Sequence, residues 1–392
     1  MKSTAGPSTR SVHLLSSVDP LTGAITPPLY DSAAFAYPDL DKMRDVALQK
    51  AEGDIYSRNT NPTVNLFEAK MAALECAESA TAFATGMAAI NGVLFALLSP
   101  GKRAVSVKDT YGATYLHFTQ ILPRFGIDCE VCETEDTAAI MAAIDQGCDL
   151  LYLETPTNPT LKVLDLEKLI THAHQQGAVT VVDNTFATPI NQSPIELGSD
   201  LVLHSATKYL NGHSDVLGGV VCGKGELVRE VFHYRELTGP TLSAQNAYLL
   251  LRSLKTLGLR VQRQNENALE IAHFLEQQPL VENVYYPGLE SNRGHEIAKK
   301  QMRGFGGVLS FSLKGGFESV KRFLPNLKYA YIAANLGQVE TVVGPPSTTS
   351  HVELTDSERA EAGIPEGLVR YAVGIEDVAD LIPDLQEALA EL

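Results

Sequence analysis

Through residues 103–223, segments with the apolar pattern of a buried strand alternate with segments that have the apolar spacing of a helix. Short runs rich in Val and Leu predict buried strands, namely RAVSVK, DCEVCE, DLLYLE, VTVVDN, DLVLHS and LGGVVCG. The stretches between them space their apolar residues as helices do, namely YLHFTQILPRF, TAAIMAAI and LEKLITHAHQQ. Because strands that are apolar on both faces are typical of sheets covered by helices, we expect an α/β domain with a mostly parallel sheet.

The region before this pattern differs from it. Residues 1–60 look irregular, are punctuated by prolines and lead into the polar stretch YSRNTNPT. A long irregular segment in a compact protein is usually functional or packed on a partner, so we expect this one to contact a neighbouring subunit. Helical spacing then predicts one helix over residues 63–76 and a second one, AAINGVLFALL, that opens after Thr85-Gly86-Met87.

The region after the alternating pattern predicts a second domain. From about residue 239, SAQNAYLLLRSLKTLGLRVQRQNENALEIAHFLEQQ has one continuous helical pattern. Beyond it, GGVLSFSLKGG, YIAANLG and LVRYAVG predict strands, and ESVKRFLPNL and VADLIPDLQEALAEL predict helices. We therefore expect an N-terminal segment over residues 1–60, an α/β domain over 61–255 and a smaller α+β domain over 256–392.

Composition limits the classes of partner. The 392 residues can bury a large core, and a formal net charge of −16 argues against nucleic acids and anionic membranes, because both bind basic surfaces. The apolar runs are too short to span a bilayer, and MKSTAGPSTRSVH lacks the apolar core of a secretory signal. We expect a cytoplasmic protein without a membrane or nucleic-acid partner.

Cysteine usage gives no sign of a metal site. The five cysteines are an odd number, which fits a reducing compartment. Cys129 and Cys132 form a C-x-x-C, but strand alternation places their side chains on opposite faces. Since no second pair completes a ligand set, we expect structural cysteines and no metal.

The strongest candidate for chemistry is Lys208, in the stretch SDLVLHSATKYLNGHSD of residues 199–215. The apolar run gives way to Ser205 and Thr207 and then to the lysine, so a strand delivers the lysine into a polar turn. A lysine whose charge is poorly solvated has a lowered pKa and can attack a carbonyl carbon. The two hydroxyls could bind a phosphate. Taken alone, the pattern also fits a strand that simply reaches the surface.

Polar residues also follow two other predicted strands. Glu154 precedes TPTNP, and Asp183 follows the apolar run VTVV. Because the ligands of parallel sheets lie at the carboxyl ends of the strands, we expect both residues to lie near Lys208. A buried carboxylate at Asp183 needs a partner, which a pyridinium N–H could supply.

Two anion sites are also candidates. Gly86 and Met87 stand at a predicted helix start, where free N–H groups either bind an anion or are simply capped by Thr85. Arg370 lies in an apolar strand, where burial of a guanidinium is favourable only beside an anion. The alternative for Arg370 is an ion pair at the surface.

With these residues assembled, the chain resembles the pyridoxal-phosphate enzymes of cysteine and methionine metabolism, which include cystathionine γ-synthase, cystathionine γ-lyase, methionine γ-lyase and the O-acylhomoserine sulfhydrylases. The resemblance runs from TRSVH to GLVRYAVGIED and rests on the lysine motif with YSRNTNPT, ATGMAAI, DTYGATY, LETPTNP and VVDNTFATP. It implies pyridoxal 5'-phosphate as cofactor and the PLP-dependent transferase fold, fold type I. It also implies a homotetramer, built as a dimer of dimers whose active sites are shared between subunits.

The resemblance implies roles for individual residues. Lys208 would form a Schiff base with the cofactor and transfer protons, and Tyr111 would stack on the ring and assist as an acid or base. Asp183 would bind the ring nitrogen. The other implied roles are phosphate binding by Gly86, Met87, Ser205 and Thr207, together with Tyr56 and Arg58 of a neighbouring subunit; cofactor and substrate binding by Asn158; substrate binding by Asn335 and Arg370; and turn stabilisation by His213.

The branch of the family depends on the substrate side. Ala334-Asn335-Leu336-Gly337 is more similar to the O-acylhomoserine sulfhydrylases than to the relatives that carry an acidic residue before Ser-Leu-Gly. Ala113 stands where many methionine γ-lyases have a cysteine. Against the sulfhydrylases, the chain lacks their longer insertions, and residues 344–351, GPPSTTSH, depart from the usual HPAS-type pattern. We expect γ-replacement on an O-acylhomoserine with cysteine or sulfide; the alternative is a γ-lyase that cleaves cystathionine or methionine.

Other classes of protein use this fold. A non-catalytic binding protein would normally have lost the lysine, the aspartate or the phosphate ligands, and all of them are present. A cysteine desulfurase needs a cysteine in an exposed polar loop, and none of the five lies in an obvious one. An aminotransferase stays open as an alternative.

Overall fold

The computed structural model describes residues 5–13, 18–19, 22–48, 50–352 and 355–392. Its N-terminal segment contains two helices, α1 (Pro7–His13) and α2 (Leu40–Ala47), so it is less irregular than predicted. The start of this segment contacts the large domain of the same chain, since Nη1 of Arg10 donates to the carbonyl oxygen of Ala73 over 3.1 Å. Its contact with a neighbouring subunit stays a prediction, and for residues 1–4, 14–17, 20–21 and 49 that prediction lies outside the described residues.

The large domain is built on a seven-stranded sheet in the order β1-β7-β6-β5-β4-β2-β3. The strands are β1 (Ser79–Phe83), β2 (Arg103–Val107), β3 (Asp128–Cys132), β4 (Leu150–Glu154), β5 (Val179–Asp183), β6 (Leu201–Ser205) and β7 (Gly219–Gly223). Only β7 runs antiparallel to its neighbours within this sheet, which confirms the mostly parallel α/β architecture. The carboxyl ends of β4, β5 and β6 therefore lie side by side.

Helices cover both faces of this sheet. They are α3 (Pro62–Leu74), α4 (Gly86–Leu97), α5 (Gly112–Leu116), α6 (Thr137–Asp145), α7 (Leu166–Gln175), α8 (Thr188–Asn191) and α9 (Gly225–Thr238). Successive residues of β4 belong to different cores: Tyr152 packs with α4, and Leu153 packs with α6 and α7. Burial on both faces explains why the strands are apolar at nearly every position.

Two predicted helices end earlier than expected. The helix predicted to reach Cys76 stops at Leu74, and Cys76 has a positive φ of 59°, which a helix cannot accommodate. The helix predicted over YLHFTQILPRF is α-helical only in its first residues. It continues as a π-turn (His117–Ile121) and a 3₁₀ turn (Leu122–Phe125), where Pro123 has no N–H to continue the helical hydrogen bonds.

The long helical pattern after residue 239 is not one helix, as predicted, but two. They are α10 (Ala244–Leu254) and α11 (Leu257–Glu276). Arg260 stabilises the break, because its Nε donates to Oγ1 of Thr256 over 3.1 Å and its Nη2 to the carbonyl oxygen of Ser253 over 3.1 Å. The contact with Ser253 satisfies a carbonyl oxygen that a continuous helix would have paired internally.

The smaller domain has a five-stranded sheet in the order β10-β11-β12-β9-β8, covered by helices. Its elements are β8 (Val281–Tyr285), α12 (His295–Gln301), β9 (Val308–Leu313), α13 (Gly316–Phe323), β10 (Tyr331–Ile332), β11 (Val342–Gly344), α14 (Asp356–Glu361), β12 (Leu368–Ala372) and α15 (Val378–Ala390). Neither β8 nor β11 was expected. The strand predicted over YIAANLG is only two residues long, because the chain then turns towards the large domain. A Cβ at Gly337, with φ of 76°, would lie 2.7 Å from the backbone nitrogen of Tyr209.

Membrane-spanning helices and metal-ligand clusters are both absent from the described residues. No helix among them is long and apolar enough to cross a bilayer. No three of their His, Cys, Asp and Glu side chains are grouped as ligands for a metal ion.

Candidate active site

A cavity of about 270 Å³ opens at the carboxyl ends of β4, β5 and β6. Nine of the residues predicted for the site line it: Gly86, Met87, Tyr111, Asn158, Asp183, Ser205, Thr207, Lys208 and Arg370. Ala334, Leu336, Thr349 and Ser350 complete the wall from the smaller domain. The site therefore lies at the sheet edge where parallel α/β proteins bind their ligands, between the two domains.

Lys208 projects into this cavity from the turn that follows β6. Its Nζ donates to Oδ1 of Asn335 over 2.7 Å. Burial, together with the positive charge of Arg370, lowers the pKa of Lys208 from 10.5 to about 8. A much larger fraction of this amine is therefore neutral and nucleophilic near neutral pH than in an exposed lysine.

Asn335 links the lysine to the rest of the smaller domain. Its Nδ2 donates to Oε1 of Gln338 over 2.7 Å, and Ser214 donates to the same oxygen over 2.8 Å. Its backbone oxygen accepts from Nη2 of Arg370 over 3.2 Å. Gln338 and Ser214 were not predicted, because nothing in their local sequence signals a contact between the two domains.

Arg370 on β12 is buried, and its Nη1 donates to Oδ1 of Asn158 over 3.0 Å. Burial lowers the pKa of its guanidinium to about 10. No acidic side chain among the described residues forms an ion pair with it, so the surface ion pair considered for this residue is wrong. A buried, cationic guanidinium in a cavity wall can bind a carboxylate.

Asp183 ends β5 and is buried beneath the cavity. It accepts from the backbone nitrogen of Thr185 over 3.0 Å and from the hydroxyl of Tyr152 over 3.3 Å. Burial raises its pKa above the ordinary value, against the effect of these hydrogen bonds. Glu154 is its register partner on β4, and burial and the charge of Asp183 raise the pKa of Glu154 well above its usual range.

The start of α4 lies beside the lysine loop. Oγ1 of Thr85 accepts from the backbone nitrogen of Ala88 over 3.1 Å, so the N-cap that the sequence predicted is present. The first N–H groups of the helix, those of Gly86 and Met87, have no acceptor within the helix. A Cβ at Gly86 would lie 2.7 Å from Cβ of Ser205, so only glycine allows this approach. Capping and anion binding are therefore compatible here.

Tyr56 and Arg58 do not line the cavity of their own chain. Tyr56 is half exposed, and the guanidinium of Arg58 lies 5.6 Å from its ring centroid. Arg58 also donates to the backbone oxygen of Glu236. Their role in the site of a neighbouring subunit stays a prediction.

Tyr111 and His213 occupy different places. Tyr111 lines the cavity with its side chain partly exposed, and its backbone nitrogen donates to Glu154 over 2.8 Å. His213 lies outside the cavity lining, with Nδ1 2.7 Å from the backbone oxygen of Asn211 and 3.3 Å from the hydroxyl of Ser253. These contacts fit a residue that stabilises the turn.

The chain is similar to known proteins over nearly its whole length. A family model described as Cys/Met metabolism PLP-dependent enzyme matches residues 8–390. The chain is 42% identical over 392 residues to an L-methionine gamma-lyase of Fusobacterium nucleatum, with 99% of each chain covered. It is 44% identical over 340 residues to an O-succinylhomoserine sulfhydrylase of Pseudomonas aeruginosa, with 87% of this chain and 84% of the relative covered.

A solved structure of a related enzyme has the same fold as this chain. Cystathionine gamma synthase from Xanthomonas oryzae, in complex with aminoacrylate and cysteine, matches with a TM-score of 0.94 at 37% identity, and 99% of each chain is covered. This match confirms the predicted PLP-dependent transferase fold, fold type I.

Proposed function

Because the chain belongs to the Cys/Met metabolism family of PLP-dependent enzymes, we propose that it catalyses γ-replacement on an O-acylhomoserine, with cysteine or sulfide as the incoming thiol. The observation that carries this proposal is the cavity wall beside Asn335, which Ala334 and Leu336 form. Within the described part of the chain, the carboxylates that line the cavity are Glu154 and Asp183, and both are buried. Among the described residues, a distal ammonium group finds no further acidic partner in this lining, which argues against cleavage of cystathionine and favours sulfide over cysteine as the thiol.

The residues present fit pyridoxal 5'-phosphate. The cavity combines a lysine of lowered pKa, a buried carboxylate with few partners and a glycine approach to the start of a helix. Lys208 would bond to the aldehyde carbon, Asp183 would bind the ring nitrogen, and Gly86, Met87, Ser205 and Thr207 would hold the phosphate. When bound, the cofactor withdraws electrons from the Cα atom of an amino acid and so makes the Cα proton removable.

The protein's own groups then direct the reaction. Arg370, held by Asn158, binds the substrate carboxylate and so fixes the orientation of the side chain in the cavity. Lys208, once its amine is free, removes the proton from Cα and transfers protons at Cβ. Asn335 holds this amine within reach, because its Oδ1 accepts from Nζ. Tyr111, which lines the cavity and is partly exposed, would stack on the cofactor ring and assist as an acid or base.

A γ-lyase that cleaves methionine or cystathionine is the second candidate. The neutral wall of Ala334 and Leu336 also accepts the thioether of methionine, and the chain is 42% identical to the methionine gamma-lyase of Fusobacterium nucleatum. Replacement and elimination share their proton transfers, so the two activities differ in whether a thiol adds before the product leaves.

Product analysis by mass spectrometry distinguishes these reactions. Purified protein with added cofactor is offered O-acetyl- or O-succinyl-homoserine with sulfide or cysteine, and separately cystathionine or methionine alone. Homocysteine or cystathionine from the esters supports replacement. If 2-oxobutanoate and ammonia form from methionine or cystathionine while the esters react poorly, the protein is a γ-lyase. Lys208→Ala protein controls for uncatalysed reaction.

Subunit arrangement and location are part of the same proposal. A homotetramer built as a dimer of dimers would let Tyr56 and Arg58 complete the site of a neighbouring chain. A cytoplasmic location would supply the small amino-acid substrates.

A further inference from the structure

Gln338 and Ser214 contact the side-chain amide of Asn335, the group that binds the amine of Lys208. Nδ2 of Asn335 donates to Oε1 of Gln338 over 2.7 Å and lies 3.5 Å from the hydroxyl oxygen of Ser214. Ser214 donates to the same Oε1 over 2.8 Å. Neither Gln338 nor Ser214 lines the cavity, and the reaction derived above gives them no part.

The orientation of the Asn335 amide affects the reactivity of Lys208. An asparagine amide has an oxygen that accepts hydrogen bonds and an NH2 group that donates them. With the oxygen towards Nζ, as observed, the amine donates and its lone pair stays free to attack a carbonyl carbon or to remove a proton. With the NH2 group towards Nζ, the amide would donate to that lone pair, and the amine would be a weaker nucleophile and base.

Gln338 selects the first of these orientations. Its Oε1 has no hydrogen to donate, so the group of Asn335 that faces this oxygen is the NH2 group. The hydrogen bond that Ser214 donates to the same oxygen holds the amide of Gln338 in place. Reversal would require both amides to turn together, and it would break the hydrogen bonds donated by Lys208 and Ser214.

The backbone of Gln338 is fixed on two sides. Its carbonyl oxygen accepts from Nε2 of Gln264 on α11 over 2.8 Å. The backbone nitrogen of the next residue, Val339, donates over 3.0 Å to the carbonyl oxygen of Gly212, in the turn that follows Lys208. Only 8% of Gln338 is exposed, so water competes little for its amide. The side chain therefore starts from a rigid position beside the lysine turn.

We propose that Gln338, held by Ser214, is a positioning residue that keeps the amide oxygen of Asn335 towards Lys208 and so leaves the lone pair of the amine free for the reaction. Both residues act through Asn335 rather than on the substrate. The inference rests on the proposed function in one respect, the role of Lys208 as the reacting amine.

The kinetic test replaces Gln338 with side chains of similar size. Gln338→Met removes the acceptor, so kcat of the cofactor-loaded enzyme should fall roughly three- to tenfold, the effect of one neutral hydrogen bond, with little change in KM. Gln338→Glu keeps oxygens that accept from Asn335 and Ser214, so it should retain most of the wild-type kcat. Gln262→Met, a change of an exposed glutamine on α11, is the matched control.

A double-mutant cycle distinguishes positioning from a general loss of stability. In the Asn335→Ala background, Gln338→Met should lower kcat by about twofold at most, because the amide through which Gln338 acts is absent. An equal loss in both backgrounds overturns the inference, and so does full activity of the Gln338→Met enzyme.

A second measurement does not depend on the proposed reaction. In cofactor-free full-length protein, peptide mass spectrometry follows the rate at which an arylating reagent labels Lys208 across pH. In Gln338→Met protein the amide of Asn335 is free to turn and donate to the neutral amine. The labelling midpoint should therefore move to lower pH by roughly half to one unit, and the maximal rate should fall.

Two further variants complete the labelling experiment. Gln338→Glu should keep the midpoint at or above that of the wild type, because it keeps the acceptor and adds a negative charge. Ser214→Ala is a smaller change that applies if Gln338→Met protein fails to fold, and it should shift the profile of Lys208 in the same direction as that variant. The other titratable groups that line the cavity are unchanged throughout: Tyr111, Glu154, Asp183 and Arg370.

The outcomes separate the two proposals. If another lysine carries the cofactor, the proposed function fails, and the labelling profiles still decide whether Gln338 orients Asn335. If Lys208 carries the cofactor but the profiles of Gln338→Met and Ser214→Ala match that of the wild type, the contacts are only structural and the inference is overturned.

Discussion

The amine of Lys208 on the large domain donates to the side-chain amide oxygen of Asn335 on the smaller domain over 2.7 Å. No other hydrogen-bond partner of Nζ occurs in the described ranges. In Asn335→Ala protein we expect kcat to fall roughly tenfold or more, because one hydrogen bond to a charged group contributes about 1.5–3 kcal/mol. KM should change little, since the backbone oxygen that contacts Arg370 remains. Steady-state kinetics test this, with Asn326→Ala as an exposed control; an unchanged kcat contradicts the prediction.

The lowered pKa of Lys208 predicts a pH dependence. A lysine amine reacts with acylating or arylating reagents only when it is neutral, and the neutral fraction rises with pH through the pKa. In cofactor-free protein the labelling rate of Lys208 should therefore reach half its maximum near pH 8, where an exposed lysine needs a pH near 10.5. Peptide mass spectrometry follows each lysine separately. A midpoint for Lys208 equal to that of exposed Lys321 would contradict the burial argument.

Substitution of Arg370 should change both the binding of the substrate and the pKa of Lys208. Arg370→Met removes the guanidinium that we place at the substrate carboxylate, so KM should rise roughly ten- to hundredfold. The positive charge of Arg370 also lowers the pKa of Lys208, so the labelling midpoint of Lys208 should move to higher pH. The matched control is Arg322→Met, a surface arginine whose guanidinium donates to the backbone oxygens of Glu391 and Leu392 at the C-terminal end. A normal KM in Arg370→Met protein would remove this residue from the substrate site.

Arg58 tests whether sites are shared between subunits. Arg58→Ala protein should bind the cofactor more weakly, and Lys208→Ala protein should be inactive. The two variants are defective in different parts of the site. After subunits of the two variants are mixed and exchanged, some sites combine an intact Arg58 with an intact Lys208, and activity should return in part. A mixture that stays inactive although mass spectrometry shows mixed oligomers would rule out a shared site.

Sequence patterns predicted the large sheet and most of the cavity lining for a physical reason. Parallel strands align their carboxyl ends, so Asp183 and Lys208, which follow successive strands, had to lie close together. The contacts of Lys208 with Asn335 and of His204 with Glu75 join residues that are 127 and 129 positions apart, and local periodicity carries no information about such pairs.

Two wrong predictions of secondary structure also have identifiable physical causes. The break between α10 and α11 depends on the side chain of Arg260, which bonds to both ends of the break. The strand predicted over YIAANLG has the right apolar pattern but leaves the sheet at Ile332, because the chain turns to bring Asn335 to Lys208. In both places a tertiary contact overrides the local preference.

The most direct measurement locates the cofactor on the chain. The purified protein, loaded with pyridoxal phosphate, is reduced with borohydride, digested and mapped by mass spectrometry, with Lys208→Ala protein treated in parallel. We predict one pyridoxyl group per chain on Lys208, and none on that peptide from the variant, because this lysine combines a lowered pKa with a place beside Asp183 and Arg370. Stoichiometric attachment to another lysine, or equal labelling of the variant, would contradict the assignment of this cavity as the active site.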